Sequence, residues 1–242
     1  MRAVHRILSI IECFTPERRS LSLQEIAERI ALPKATAFRI VHSLEEAGYM
    51  VRLENQQYCL SFRFIRIAGL VKSTLDIRLL ARPLMEELTE RTQETVCIYT
   101  LSGASRVCID TTTTALQLRS VTQPGDHAPL LNGSSSKLLL AYMSPTEAAP
   151  LVPAMAKDGR RSRAVVTAEL AQIRQQGYAI SHGERHIGLS GLAAPITDVN
   201  EQVRHCLTLS GPTARIQTHE KQFVQLLVKT AAKISRQYGG KS

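Results

Sequence analysis

Residues 21–50 read LSLQEIAERIALPKATAFRIVHSLEEAGYM, and no other stretch leaves the chain so few ways to fold. Ser22 and Glu25 form an S-x-x-E capping box, in which each side chain satisfies a free backbone N–H at a helix start. Leu23, Ile26, Ala27 and Ile30 then recur at the spacing of a short helix with one apolar face. Ala31–Leu32–Pro33 interrupts it, and Pro33 presets the first turn of the next helix. That helix carries Ala37, Ile40, Val41 and Leu44 on one side and Thr36, Arg39, His42 and Ser43 on the other. Two short helices joined by a tight turn are a helix-turn-helix. The second helix stops near Gly48. Tyr49, Val51 and Leu53 alternate with Met50 and Arg52, Glu54–Gln57 is polar turn material, and Tyr58 and Leu60 resume the alternation, so a β-hairpin follows. An amphipathic helix over roughly Ala3–Phe14, closed by Thr15 and Pro16, precedes the pair. Three helices and a hairpin make a winged helix-turn-helix over residues 1–62.

The polar face of the third helix suits one partner well. The major groove of B-DNA admits a single helix, whose N-terminal side chains reach base edges and phosphates. Arg39 can donate two hydrogen bonds to guanine, Thr36 can meet a phosphate or a thymine methyl, and Lys34 suits a phosphate. His42 and Ser43 extend that face, while Tyr49, Arg52, Asn55 and Gln57 can follow the neighbouring backbone. An ordinary solvated face is the competing reading. The capped helix, the Pro-started helix and the hairpin, taken together, favour double-stranded DNA. A formal charge of +9 and a pI near 9.6 agree with a polyanionic partner without bearing on the fold. The densest basic run, Lys157–Arg163, reads as a solvated loop.

The rest of the chain has a different pattern. Residues 63–80 continue as a linker helix, with Phe64, Ile67, Ala68, Val71 and Leu75 at helical spacing, and Pro83 opens a further helix carrying Leu84, Met85 and Leu88. Strands are expected at Thr95–Leu101, Val107–Asp110, Gln117–Val121, Tyr178–Ser181, Leu192–Ile196 and Val203–Ser210. Helices are expected at Ser134–Tyr142, from a Thr167 cap to Gly177, and over His219–Tyr238. Mixed helices and strands around an antiparallel sheet give an α+β second domain over residues 81–242. With 44% apolar residues in 242, a real core is available. Five cysteines at 13, 59, 97, 108 and 206 match neither a zinc spacing nor a disulfide framework, so they read as small buried hydrophobes in a reducing, cytoplasmic setting. Glu12 interrupts the apolar N-terminal run, which reads as an amphipathic helix rather than a signal peptide, and no run is long enough to imply a membrane partner.

On these residues the chain resembles the IclR family of bacterial transcription regulators over nearly its full length. The resemblance is carried by the helix-turn-helix stretch, by LDIRLLARPLMEEL with Glu94–Thr95 behind it, and by GYAIS, GLAAPI and LTLSGP in that order. It implies a winged helix-turn-helix joined by a linker helix to a GAF-like (profilin-like) effector domain. Homodimers or homotetramers on palindromic operators are implied as well, with Lys34, Thr36 and Arg39 on the DNA-reading helix. Ala31 departs from the family's pattern, standing where a glycine is common; a positive φ there costs about 1 kcal/mol with alanine. Leu131 and Ser136 replace a histidine and a glycine, Ser181 stands where many relatives have aspartate, and Gly191 where many have cysteine. The ligand is therefore expected to differ from the small oxo-acids of some family members.

In the GAF-like domain that the resemblance implies, the positions matching the effector cavity are Ser134 and Ser135 at a helix start and Ser181, Gly191, Thr208 and Ser210 on strands. Thr208 and Ser210, two apart, share one sheet face. Free N–H groups at the start of the Ser134 helix suit a carboxylate, so a small organic acid is expected. Serines that merely cap and turn are the plain alternative. No metal, cofactor or catalytic residue is expected. His182-Gly-Glu-Arg-His186 is not an HExxH motif, and Asp110, His127 and a serine lack a G-x-S-x-G elbow. The alternative from another class is a metabolite-binding protein or small hydrolase with a vestigial helix-turn-helix.

Overall fold

The computed structural model describes residues 2–15, 17–74, 76–158 and 161–240. It divides into two compact units, Met1–Leu75 and Asp76–Ser242. The first contains α1 (Arg2–Glu12), α2 (Leu23–Arg29), α3 (Lys34–Glu46), β1 (Met50–Arg52), β2 (Tyr58–Leu60) and α4 (Arg63–Thr74). The capping box forms as its spacing predicts, Ser22 Oγ accepting from Glu25 N and the Glu25 carboxylate accepting from Ser22 N. Ile10, Ile26, Val41, Leu44, Met50 and Tyr58 close the core. Burying a side chain of this size stabilises by roughly 2 kcal/mol. In the hairpin Met50 and Tyr58 point inward and Val51 faces solvent. Pro33 is the residue before α3 rather than its first turn, with ψ at 138°. Arg63 ties the end of α3 to α4: Nη1 donates to the Ala47 carbonyl, and the guanidinium lies 4.6 Å from the Tyr49 ring centre.

The second unit is a six-stranded antiparallel sheet with helices on both faces. Its elements are α5 (Ile77–Thr92), β3 (Thr95–Ser102), β4 (Ser105–Thr112), β5 (His127–Pro129), α6 (Ser134–Tyr142), α7 (Pro145–Ala148), α8 (Val152–Asp158), α9 (Arg163–Gln176), β6 (Ala179–His182), β7 (Leu189–Thr197), β8 (Val203–Pro212), α10 (Thr213–Thr218) and α11 (Glu220–Gln237). The strand order is β5-β4-β3-β8-β7-β6. Side chains alternate between two cores, as the pleat requires. Val96, Ile98, Leu192, Leu207 and Leu209 meet α5 and α11 on one face. Cys97, Tyr99, Ala193 and Cys206 meet α6, α8 and α9 on the other. Cys97, Cys108 and Cys206 are buried free thiols, and burial pushes the Cys206 thiol up to about 12.

Several sequence expectations are corrected. The linker over 63–80 is two helices, because Asp76 caps a new one by accepting from Arg78 N at 2.9 Å. Leu75 and the side chain of Val71 lie outside the described residues. Pro83 therefore sits inside α5 instead of opening a helix. Gln117–Val121 is not a strand: side chains, not a ladder, hold its backbone. Thr95 Oγ1 donates to Ser120 O at 2.7 Å and Arg215 Nη2 to Leu118 O at 2.9 Å. The edge strand is instead β5, paired with Ser105–Val107. Ser162, not Thr167, caps α9, accepting from Val165 N at 3.2 Å; Thr167 Oγ1 donates back to Arg163 O. The short helices α7, α8 and α10 were not anticipated.

Candidate DNA-reading helix and effector cavity

Helix α3 docks through Ala37, Val41 and Leu44. Lys34, Ala35, Phe38, Arg39, His42 and Ser43 are exposed, with Thr36 half-buried beside them. Among the described residues Lys34 and Arg39 form no ion pair, so their charges are available to a polyanion. The second half of the helix differs. His42 lies 3.7 Å from Glu45 and 3.5 Å from Glu46 and stacks on Phe38 with centroids 5.6 Å apart. Two carboxylates there disfavour phosphate, which leaves the first two turns as the cationic part. Ser43 Oγ donates to Arg39 O at 3.0 Å, so its proton is used within the helix. Arg52 is exposed on β1, 5.8 Å from the Tyr58 ring centre. Asn55 and Gln57 are committed to the wing itself, with Gln57 Oε1 accepting from Asn55 Nδ2 and Ser20 Oγ. Phe38, placed on neither face by the sequence reading, is exposed on this side of the helix.

In the second unit Ser134, Ser135, Ser181, Gly191, Thr208 and Ser210 all line one cavity of about 100 Å³. The register explains the convergence: Gly191 pairs with Ser181 on one side and Ser210 on the other, and α6 starts above them. Gly133 precedes the helix at φ 83°, a conformation glycine adopts without strain. Ser134 N donates to Ser181 Oγ at 3.0 Å and Gly133 N to Glu184 at 3.1 Å. A Cβ on Gly191 would stand 2.9 Å from Ser134 Oγ, so a side chain here would push into the cavity wall. Thr208 Oγ1 donates to Cys97 O at 3.2 Å.

Buried Lys137 fastens the start of α6. Its Nζ lies 2.8 Å from Glu169, 2.5 Å from Glu184 and 2.7 Å from the Ile180 carbonyl. Burial raises the Glu169 pKa, but Lys137 and Arg161 more than offset it and hold the carboxyl below its ordinary value. A larger groove of about 660 Å³ runs past Leu140, Met143, Val152 and Leu170. Its lining is mainly apolar, and Arg174 there is bonded to the Ala141 and Met143 carbonyls.

Two family models match the chain: the IclR helix-turn-helix domain over residues 3–54 and the bacterial transcriptional regulator IclR C-terminal domain over residues 70–236. The chain belongs to the IclR family. It is a DNA-binding transcriptional regulator. The HTH-type transcriptional regulator KipR of Bacillus subtilis is 27% identical, covering 98% of this chain and 97% of its own length. The E. coli regulator KdgR is also 27% identical, over 98% and 92%. Among solved structures, an IclR transcriptional regulator from Silicibacter sp. TM1040 superposes with a TM-score of 0.83 at 23% identity, over 100% and 97% of the two chains. The Agrobacterium tumefaciens repressor BlcR gives 0.73 at 21%, over 100% and 99%. At these identities the two structures establish the fold alone.

Three of the polar residues that suggested other chemistry in this IclR-family chain, His182, Glu184 and Asp110, have structural partners. His182 Nδ1 lies 2.9 Å from Ser190 Oγ and Nε2 lies 3.0 Å from Glu220, while Glu184 is held by Lys137. No group of three His, Cys, Asp or Glu side chains among the described residues is arranged to hold a metal. Asp110 pairs with Arg82, and His127 is exposed on the edge strand. No helix among the described residues is long and apolar enough to cross a membrane. The cavity is also lined by Tyr99, Arg106, Asp126, Arg185 and His186, none of them assigned from sequence. Arg106 had a readable signal: in SRVCIDTT it lies two residues from Cys108, on the same sheet face, whereas the register shift at Ile98/Tyr99 turns Asp110 to the other face and Arg82.

Proposed function

We propose that the chain is a cytoplasmic, effector-controlled repressor of a catabolic operon. It binds a palindromic operator as a homodimer or homotetramer through Lys34, Thr36 and Arg39, with His42, Ser43 and Arg52 at the margin of the interface. A small organic acid enters the cavity formed by Ser134, Ser135, Ser181, Gly191, Thr208 and Ser210. One observation carries the reading: Lys34 and Arg39 are exposed and, among the described residues, without ion-pair partners on the first turns of a helix whose other face is docked. Exposed Val4, Leu8, Phe62 and Ile65 support self-association, since apolar side chains of this size gain by being covered. A ligand that binds one arrangement of the subunits better than another changes the spacing of the two reading helices, and operator affinity follows.

Duplex binding measured across a salt series, on fragments selected from genomic DNA, tests the proposal. Affinity falls steeply with salt, Lys34→Ala lowers the slope of log K against log salt by about one, and Arg39→Ala costs about 1–3 kcal/mol and relaxes discrimination at one base. A protein that binds small acids but shows no salt-dependent duplex affinity is instead the metabolite-binding alternative.

A further inference from the structure

The cavity contains a cation that no carboxylate among the described residues pairs with. Arg106 is 3% exposed, and its Nε has no hydrogen-bond partner. Among the described residues no carboxylate lies within salt-bridge distance of it. The guanidinium lies over the Tyr99 ring, its carbon 4.5 Å from the ring centre. Asp126 lines the same cavity, but its Oδ2 accepts from Gln123 N at 2.9 Å. A buried charge without a counter-charge is costly, and a ring face offsets only part of that cost.

We infer that Arg106 is the charge anchor of the effector cavity, binding the carboxylate of a short monoanionic organic acid. The inference rests on the effector reading above and adds to it the group that selects the ligand's charge. Three features narrow the class. A guanidinium fork matches a planar carboxylate, forming two parallel hydrogen bonds. Ser134 and Ser135 line the same cavity at the start of α6, and their hydroxyls can donate to the acid's oxygens. Arg106 and Arg185 against Asp126 leave a formal single positive charge among the Arg and Asp side chains of the lining, and this matches a monoanion better than a phosphate. A space of about 100 Å³ is far smaller than the ~300 Å³ at which drug-sized pockets begin, so the acid is short.

The test is thermal melting of the full chain at constant ionic strength, with chloride replaced by formate, acetate or inorganic phosphate, and with acetamide as the neutral control. Formate and acetate are expected to raise the melting temperature by several degrees and acetamide to leave it unchanged. Arg106→Met is expected to lose the acetate shift while melting no lower than the unsubstituted protein without ligand, because an unpaired buried charge has been removed. A residue with a merely structural role would lower that ligand-free melting point. Should Arg106→Met fail to fold, Arg106→Lys keeps the charge without the fork, and its apparent acetate affinity is expected to drop about tenfold. The inference is overturned by an acetate response in either variant equal to that of the unsubstituted protein, by equal shifts with acetamide, by no shift with either carboxylate, or by a larger shift with phosphate. An Arg106-dependent shift that leaves duplex binding unchanged supports the anchor and removes only the effector role.

Discussion

Ala31 has φ of 51°, a left-handed conformation that costs a residue with a Cβ about 1 kcal/mol relative to glycine. It closes the turn between α2 and α3, where Leu32 N reaches back to Ala27 O at 3.0 Å, so the strain is held by backbone hydrogen bonding on both sides. Ala31→Gly is expected to stabilise the first unit by about 0.5–1 kcal/mol, read as a higher urea midpoint with the same slope. Gly211 shows the opposite relation between residue and site. A Cβ there would stand 2.0 Å from the Glu94 carboxylate, which is buried and bonded to Arg215 by two hydrogen bonds of 2.6 and 2.9 Å. That pair in turn holds Leu118 O, and with it the segment carrying Ser120 and Thr122 beside the cavity.

Helix limits depend on which side chain reaches a free N–H, and α9 illustrates this. Its buried positions are Val166, Leu170 and Ile173, so the periodic stripe begins one residue before Thr167. A cap must precede that stripe, and Ser162 does. Ser162→Ala is expected to cost about 1 kcal/mol in denaturant unfolding, whereas Thr167→Ala, which removes only a back-bond inside the helix, should change little. Similar logic applies at Asp76. A continuous helical pattern across 63–80 conceals a break, because periodicity reports which residues can face a core and not whether the backbone runs uninterrupted. The strand expected at Gln117–Val121 fails for a related reason: its backbone partners come from Thr95 and Arg215, far away in sequence.

At the scale of the whole molecule, the chain already carries a formal +9, and acidification adds charge to buried as well as exposed groups. His205 on β8 is the clearest case. Burial lowers its pKa below 6.5, Asp198 and Asp76 oppose that and Arg204 adds to it. Nδ1 has no hydrogen-bond partner, and Tyr238, just past the end of α11, packs edge-on at 5.6 Å. The folded state therefore binds fewer protons than the unfolded state below pH 6.5. His205 contributes full stability above that value and loses it as pH falls toward the depressed folded pKa. Urea midpoints measured from about pH 7 down to pH 5 should decline, and His205→Gln should flatten that part of the curve. An unchanged slope in the variant would place the acid sensitivity elsewhere.

The six cavity residues implied by the family resemblance converge because the antiparallel register sets Ser181, Gly191 and Ser210 side by side under the start of α6. Thr208 and Ser210 had to lie together, and Ser134 had to begin a helix. The outward stripe of α3 was equally legible, since an amphipathic helix leaves its polar side free once its apolar side is buried. What the linear order could not contain was pairing at a distance: Gln57 taken by Ser20, Asp110 by Arg82, and Arg106 Nε left without a hydrogen-bond partner. Local pattern determines which elements form and which face is buried, because propensity and burial act over a few residues. Only the tertiary structure decides which charges are matched, because an ion pair or its absence depends on groups that folding brings together from across the chain.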